Sequence, residues 1–347
     1  MTQTELLWIA VKTIVVVAIV FSYVPALIIL ERRLAGFIQG RWGPNRVGPF
    51  GTLQPLADII KFILKEDIVP ERADRFLFLA GPMLVYLPPA IGFAIIPFGN
   101  QIGDQKLQIA NLSIGLLFVM SVLSVGVYGI TLGGWASNNK WSLLGALRAS
   151  AQLISYELTL GLTILLAIMM AESVDPQVIV NNQVQNGWGI IGGGTLWALP
   201  CGVLGFTMLF IASMAENNRL PFDMAECEAE LVGGYHTEYS GMKFAMFFMG
   251  EYVAMLLMCC LIVTLFLGGW HFPFITDPDN HSIVAGLISV GVFLAKVTTL
   301  LFIFVWIRWT LPRFRYDQLM GLGWKVFLPL SLVNIAVLAV IDIFVKG

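Results

Sequence analysis

Charged residues are scarce in this chain of 347 residues. Asp, Glu, Lys and Arg make up 12% of it, about half of the roughly 25% usual in soluble domains. That excludes an ordinary water-soluble enzyme. With a formal charge of -2, the total points neither to a nucleic-acid face nor to an acidic disordered tail. Cysteine is scarce as well. Cys201, Cys227, Cys259 and Cys260 contain no CxxC pair and no spacing suited to zinc or an iron-sulfur cluster, so they are read as reduced bystanders and no metal site is expected. The three histidines, His236, His271 and His281, lie outside the long apolar runs or at their edges, which excludes bis-histidine haem ligation inside a bundle. An electron-carrying cofactor belongs elsewhere.

What is abundant is apolar sequence. Residues of the set AVILMFWYC make up 58% of the chain, and 34 Gly and 16 Pro are spread through it, as membrane helices tolerate. A hydrocarbon core of about 30 Å needs about 20 apolar residues in a helix. Runs of that length occur eight times, near Leu6 to Leu30, Phe76 to Phe98, Leu112 to Gly134, Ser150 to Ala171, Thr195 to Ala215, Phe244 to Gly269, Ser282 to Ile307 and Trp324 to Val345. The expected fold is all-α: one polytopic membrane domain over residues 1–347. The first run has no basic n-region and no A-x-A-like site before Glu31, so it is read as a retained helix, not a signal peptide.

An even count puts both termini on one side, and the bases choose which. Eight lie between spans one and two: Arg32, Arg33, Arg41, Arg46, Lys61, Lys65, Arg72 and Arg75. Lys140, Arg148, Arg219, Lys243, Arg308, Arg313, Arg315 and Lys325 share that side, against only Lys106 and Lys346 on the other. The first side is expected to be cytoplasmic and both termini to face outward. Within the first cytoplasmic loop, residues 31–75, Leu56, Ile59, Ile60, Ile63 and Leu64 recur at helical spacing while Asp58, Lys61 and Lys65 stay polar. This predicts an amphipathic interfacial helix over Thr52 to Asp67. The Gly43 to Gly51 stretch before it is too rich in Gly and Pro for a helix. Glu172 to Gly194 reads as an outer loop with at most a short helix.

The misplaced acids carry the functional signal. The loop of residues 215–243 holds Glu216, Asp223, Glu226, Glu228, Glu230 and Glu238. If Asp223 to Leu231 is helical, Glu226 and Glu230 form a like-charge i, i+4 pair. At about 6 Å they repel by under about 1 kcal/mol in water but by about 3 kcal/mol at an effective dielectric of 20, enough to hold one carboxyl near neutral pKa if the segment folds into a protein-lined cavity. A solvated acidic loop is the alternative. Glu157 and Glu251 sit inside the fourth and sixth spans, where an ionised carboxylate needs water or a partner; a proton path is favoured over a structural ion pair for each. Lys296, mid-way along the seventh span, is grouped with them. Glu31 and Arg32, an acid and a base where the first span closes, can address a polar ligand head. Trp42, Trp270 and Trp324 read as interface anchors.

These residues also carry a family resemblance. Glu31-Arg32-Arg33, the run from Arg41 to Pro49 and Leu53 to Asp58 resemble the first cytoplasmic loop of the respiratory complex I H subunit, the mitochondrial subunit 1 family. Further matches follow in order at Ser155-Tyr156-Glu157, Ala215 to Asp223, His236 to Gly241, Phe247 to Tyr252 and Pro312 to Gln318. The resemblance implies an eight-helix subunit of NADH:quinone oxidoreductase in a bacterial inner membrane, joining other membrane-arm subunits to the peripheral arm. It implies a quinone chamber shared with peripheral subunits, which would carry the FMN and iron-sulfur clusters; this chain would bind no cofactor and supply no catalytic residue. Under it, Glu31, Arg32, Asp58, Phe222, Phe248 and Arg308 border the quinone channel. Glu157, Glu216, Asp223, Glu226, Glu228, Glu230, Glu238, Glu251 and Lys296 couple it to proton translocation. The acids alone also fit a quinone-independent anchor of an energy-converting hydrogenase, a solitary ion transporter or a structural scaffold, which the soluble subunits that co-purify would tell apart.

Overall fold

The computed structural model describes residues 3–103, 105–224 and 232–346. Among these, eight helices are long and apolar enough to cross a membrane, as the eight apolar runs predict. Helices suit such a chain because each satisfies its own backbone groups where no water can. The long elements are α1 (Gln3–Ile38), α3 (Arg75–Gly92), α4 (Gly115–Ala136), α5 (Lys140–Ala171), α7 (Leu199–Glu216), α8 (Gly241–Phe266) and α9 (Ile283–Thr310). The eighth crossing is composite. α10 (Tyr316–Leu322) runs through a π-helical turn at Gly323–Phe327 into α11 (Leu328–Lys346). Two short helices, α2 (Gln54–Leu64) and α6 (Pro176–Asn186), lie in loops on opposite faces of the bundle. A two-residue hairpin pairs Gln101 with Lys106 and Ile102 with Gln105.

Helix starts follow from local side chains. Asp74 accepts from the Phe76 and Leu77 amides, Asn139 from Trp141, Asp175 from Gln177 and Ser282 from Ala285, each satisfying an otherwise orphaned N–H. α8 is the central element. Leu257, Cys259, Ile262, Val263 and Phe266 on it are fully enclosed, and α1, α3, α7 and α9 pack around it. α3 and α4 approach closely through glycines: a Cβ on Gly81 would stand 3.0 Å from the Gly133 Cα. In the Gly43 to Gly51 loop, Gly51 has φ +75°, and a Cβ there would fall 2.1 Å from the Pro44 carbonyl oxygen. No side chain fits.

Several boundaries move. α1 continues past Glu31-Arg32-Arg33 to Ile38, so this triplet lies inside the helix and does not close it. α5 starts ten residues before the expected span, at Lys140, because Asn139 caps it. The amphipathic helix is shorter than expected, Gln54–Leu64, with Pro55 in its first turn. Trp270 is no interface anchor, being only 2% exposed, and the Trp324 indole donates to the Ser155 hydroxyl at 3.1 Å. Pro25 sits within α1, where it leaves the Phe21 carbonyl without its helical donor.

Candidate functional site

Two cavities of about 530 Å³ each open on the face that carries α2. The first is polar at its wall. α1 supplies Ile28, Glu31, Arg32 and Ala35; the following loop supplies Arg41 to Pro44; α8 adds Phe248 and Tyr252, and α9 adds Arg308 and Trp309. The second is apolar and lies between α1, α2 and α8, lined by Phe21, Pro25, Pro55, Ile59, Phe62 and the methionines Met242, Met246 and Met249. Ile28, Arg32 and Phe248 line both. They therefore mark the passage between an apolar compartment and a charged one. Asp58 on the hydrophilic side of α2 pairs with Arg32 at 2.6 Å and accepts from Gln54 at 3.1 Å, which pins α2 against α1.

The charged wall is organised around buried carboxylates. Glu31, 6% exposed, accepts the Tyr252 hydroxyl at 2.6 Å, pairs with Arg308 and lies 3.8 Å from Arg219. Arg219 also reaches Glu251 at 3.4 Å and rests over the Tyr252 ring at 4.3 Å. Glu251 accepts from the Tyr235 hydroxyl at 3.2 Å. One guanidinium thus stands between an acid of the chamber wall and an acid behind it. At an effective dielectric of 20, unit charges about 3.5 Å apart attract by about 5 kcal/mol before desolvation is counted.

Behind Glu251 a small cavity of about 50 Å³ is lined by Glu216, Asn217, Asn218, Tyr235 and Glu251 among apolar side chains. Oε2 of Glu216 and Oδ1 of Asn217 and of Asn218 have no hydrogen-bond partner among the described residues. At about 10–15 Å³ for each water, this space suits a few waters bridging those oxygens. Glu157 on α5 accepts from the Ser124 hydroxyl, and its charge bears on Glu216.

The remaining expected residues scatter. Asp223 pairs with Arg313 at 3.0 Å, tying the 219–224 segment to the start of α10, and the Phe314 amide donates to the Pro221 carbonyl. Phe222 lines neither large cavity; it is buried between Tyr156 and Phe314. Glu238 accepts from the Asn139 amide at 2.6 Å. Glu226, Glu228 and Glu230 lie outside the described residues. Lys296 is not brought to the acids but to three backbone carbonyls at the far end of α8. Nearer the chamber, burial pushes the Tyr239 phenol above its ordinary pKa; its hydroxyl donates to the Phe78 and Gly133 carbonyls.

Comparison with known proteins places this arrangement. The family model described as NADH dehydrogenase matches residues 11–339. The chain belongs to the H-subunit family of NADH-quinone oxidoreductase. It is 46% identical over 345 residues to the NADH-quinone oxidoreductase H subunit numbered 2 of Geobacter metallireducens, covering 95% of this chain and 94% of the relative. It is 43% identical over 333 residues to the H subunit numbered 1 of Cytophaga hutchinsonii, with 94% and 95% covered. Against NADH-quinone oxidoreductase subunit 8 of Rhodothermus marinus it is 44% identical over 342 residues, with 96% and 97% covered. As a member of the H-subunit family, the chain is a multi-pass membrane component of an oxidoreductase complex. Sequence reading of this H-family chain missed Arg219, Tyr235 and Tyr252 as site residues. The one available signal was Arg219 as the lone arginine among the acids of residues 215–243.

Proposed function

We propose that this chain forms part of a quinone chamber in NADH:quinone oxidoreductase and passes the electrostatic consequence of quinone reduction to buried carboxylates. Quinone enters from the bilayer through the apolar cavity beside α2, where Met242, Met246 and Met249 give a wall that adapts to a long isoprenoid chain. It passes Arg32 and Phe248 into the chamber lined by Glu31 and Arg308. Partner subunits of the peripheral arm complete the head-group site and deliver electrons through their FMN and iron-sulfur clusters. The face bearing α2 is the cytoplasmic one, where the bases concentrate, and both termini lie outside.

The observation that carries the reading is Arg219, shared between Glu31 at 3.8 Å and Glu251 at 3.4 Å. Quinone reduction takes up protons as well as electrons, so it alters charge in the chamber. Such a change shifts the balance of Glu31 between Arg308 and Arg219, and so the hold of Arg219 on Glu251. Glu251 then exchanges a proton with Glu216 across the small cavity that both line, and Glu157 lies next on the route toward neighbouring membrane-arm subunits. Asp223, through Arg313, and Glu238, through Asn139, hold the segment that frames this route, and Glu226, Glu228 and Glu230 belong to the same acidic loop.

The test is Glu251→Gln in the assembled complex. NADH oxidation with quinone should fall about tenfold while oxidation with a soluble acceptor stays unchanged. Wild-type quinone turnover in the fully assembled variant would sink the relay. The chamber explains why Glu31, Arg32 and Phe248 converge on one wall, which a scaffold or a solitary transporter does not require.

A further inference from the structure

α8 ends at Phe266, and a helix that stops inside a bundle leaves its last carbonyls without intrahelical donors. A side chain from α6 supplies two of them, and one from α9 holds the C-cap carbonyl and the turn that follows. Gln183 of α6 donates to the Thr264 and Leu265 carbonyls at 2.8 and 3.1 Å, and its Oε1 accepts the Gly189 and Gly268 amides at 3.1 and 2.8 Å. Lys296 of α9 donates to the carbonyls of Leu267, Gly269 and His271 at 2.6, 3.0 and 2.6 Å. Gly268 and Gly269, at φ +73° and +52°, turn the chain so that these carbonyls face a common point, a conformation open to glycine. The ammonium also lies 4.6 Å from the centre of the Trp188 ring. All three of its N–H donors are used, and its charge sits at the negative end of the α8 dipole.

This geometry does not suit a proton relay. Backbone carbonyls take up no proton, and burial and then the Lys296 charge push the neighbouring His271 imidazole below its ordinary pKa, with Nδ1 against the Thr276 hydroxyl at 2.9 Å. We propose that Lys296 is a positioning residue for the chamber, holding from α9 the C-cap and turn in which α8 ends and so fixing the axial position of the helix that presents Phe248, Glu251 and Tyr252. The other end of α8 is tied down by Lys243 on Asp67 at 2.9 Å. From Glu251 to Phe266 is about 22 Å of helix. A slide by a single residue rise, about 1.5 Å, exceeds the few tenths of an ångström within which hydrogen bonds such as Tyr252 to Glu31 keep their strength.

The quinone arm of this inference rests on the function proposed above; the backbone arm does not. In the purified complex, Lys296→Met keeps the stem and removes the charge. Amide exchange should rise about tenfold over residues 263–271 and also over 248–252, the quinone KM should rise severalfold, and turnover with a soluble acceptor should hold. n-Propylammonium added to Lys296→Ala should restore the exchange pattern. If exchange rises at 263–271 alone, Lys296 is a local cap and the positioning role is overturned. If it spreads to 248–252 with unchanged quinone kinetics, the positioning stands and the quinone chamber fails. Should the Met variant not assemble, Lys296→Arg keeps the charge but mismatches the three-carbonyl cage; wild-type exchange over 248–252 in that variant overturns the proposal.

Discussion

The two ends of α8 hold charge in opposite ways. Toward α2, charges meet charges: Arg219 lies between Glu31 and Glu251, and Arg308 competes for Glu31. Toward α6, a charge meets uncharged groups, with the Lys296 ammonium held by three carbonyls and set over the Trp188 ring. An ion-pair network with more than one way to distribute its partners responds when a charge is added nearby, because each member's interaction depends on its neighbour's ionisation. A carbonyl cage has no second ionisation state to offer. One end of the helix is therefore suited to sensing, the other to anchoring.

The comparison breaks most completely at Arg219. Arg219→Gln leaves two buried carboxylates facing each other, and removing one partner of a buried pair costs about 3–5 kcal/mol. Quinone-linked NADH oxidation should fall more than tenfold in assembled complex, with Arg219→Lys recovering part of it; equal loss with a soluble acceptor would place the fault in assembly instead. A smaller effect is expected from Tyr252→Phe, which removes the hydroxyl donated to Glu31 at 2.6 Å. Hydrogen bonds to charged groups contribute about 1.5–3 kcal/mol, so the thermal midpoint should fall by a few degrees and the quinone KM should rise about tenfold. The smallest belongs to the anchoring face. Asn182→Ala deletes a 2.6 Å bond to the Ala171 carbonyl at the end of α5, which should cost about 1 kcal/mol: a lower melting midpoint by calorimetry and unchanged quinone turnover.

The bundle was largely legible in the residues because the bilayer imposes a length and a composition on each crossing, and Leu56, Ile59 and Ile63 announced α2 by spacing alone. The site was legible in part. Glu31, Arg32 and Glu251 stand out as ionisable groups in apolar surroundings, a property readable one residue at a time. Arg219 does not, since its significance lies in standing near two acids that are remote in the chain. Lys296 is hard to place for a related reason: an intramembrane lysine calls for a partner, and the carbonyls around it are groups that every residue possesses. Phe222, one residue from Asp223, sits between Tyr156 and Phe314 and lines neither large cavity.

Pro25 and Phe21 both line the apolar cavity beside α2. The hydrogen bond that would join them is the one α1 lacks. On the proposed quinone route, α1 is thus more compliant at this level, where one rung of its backbone ladder is already absent. Filling that gap with an ordinary residue would stiffen the threshold while leaving every charged group in place.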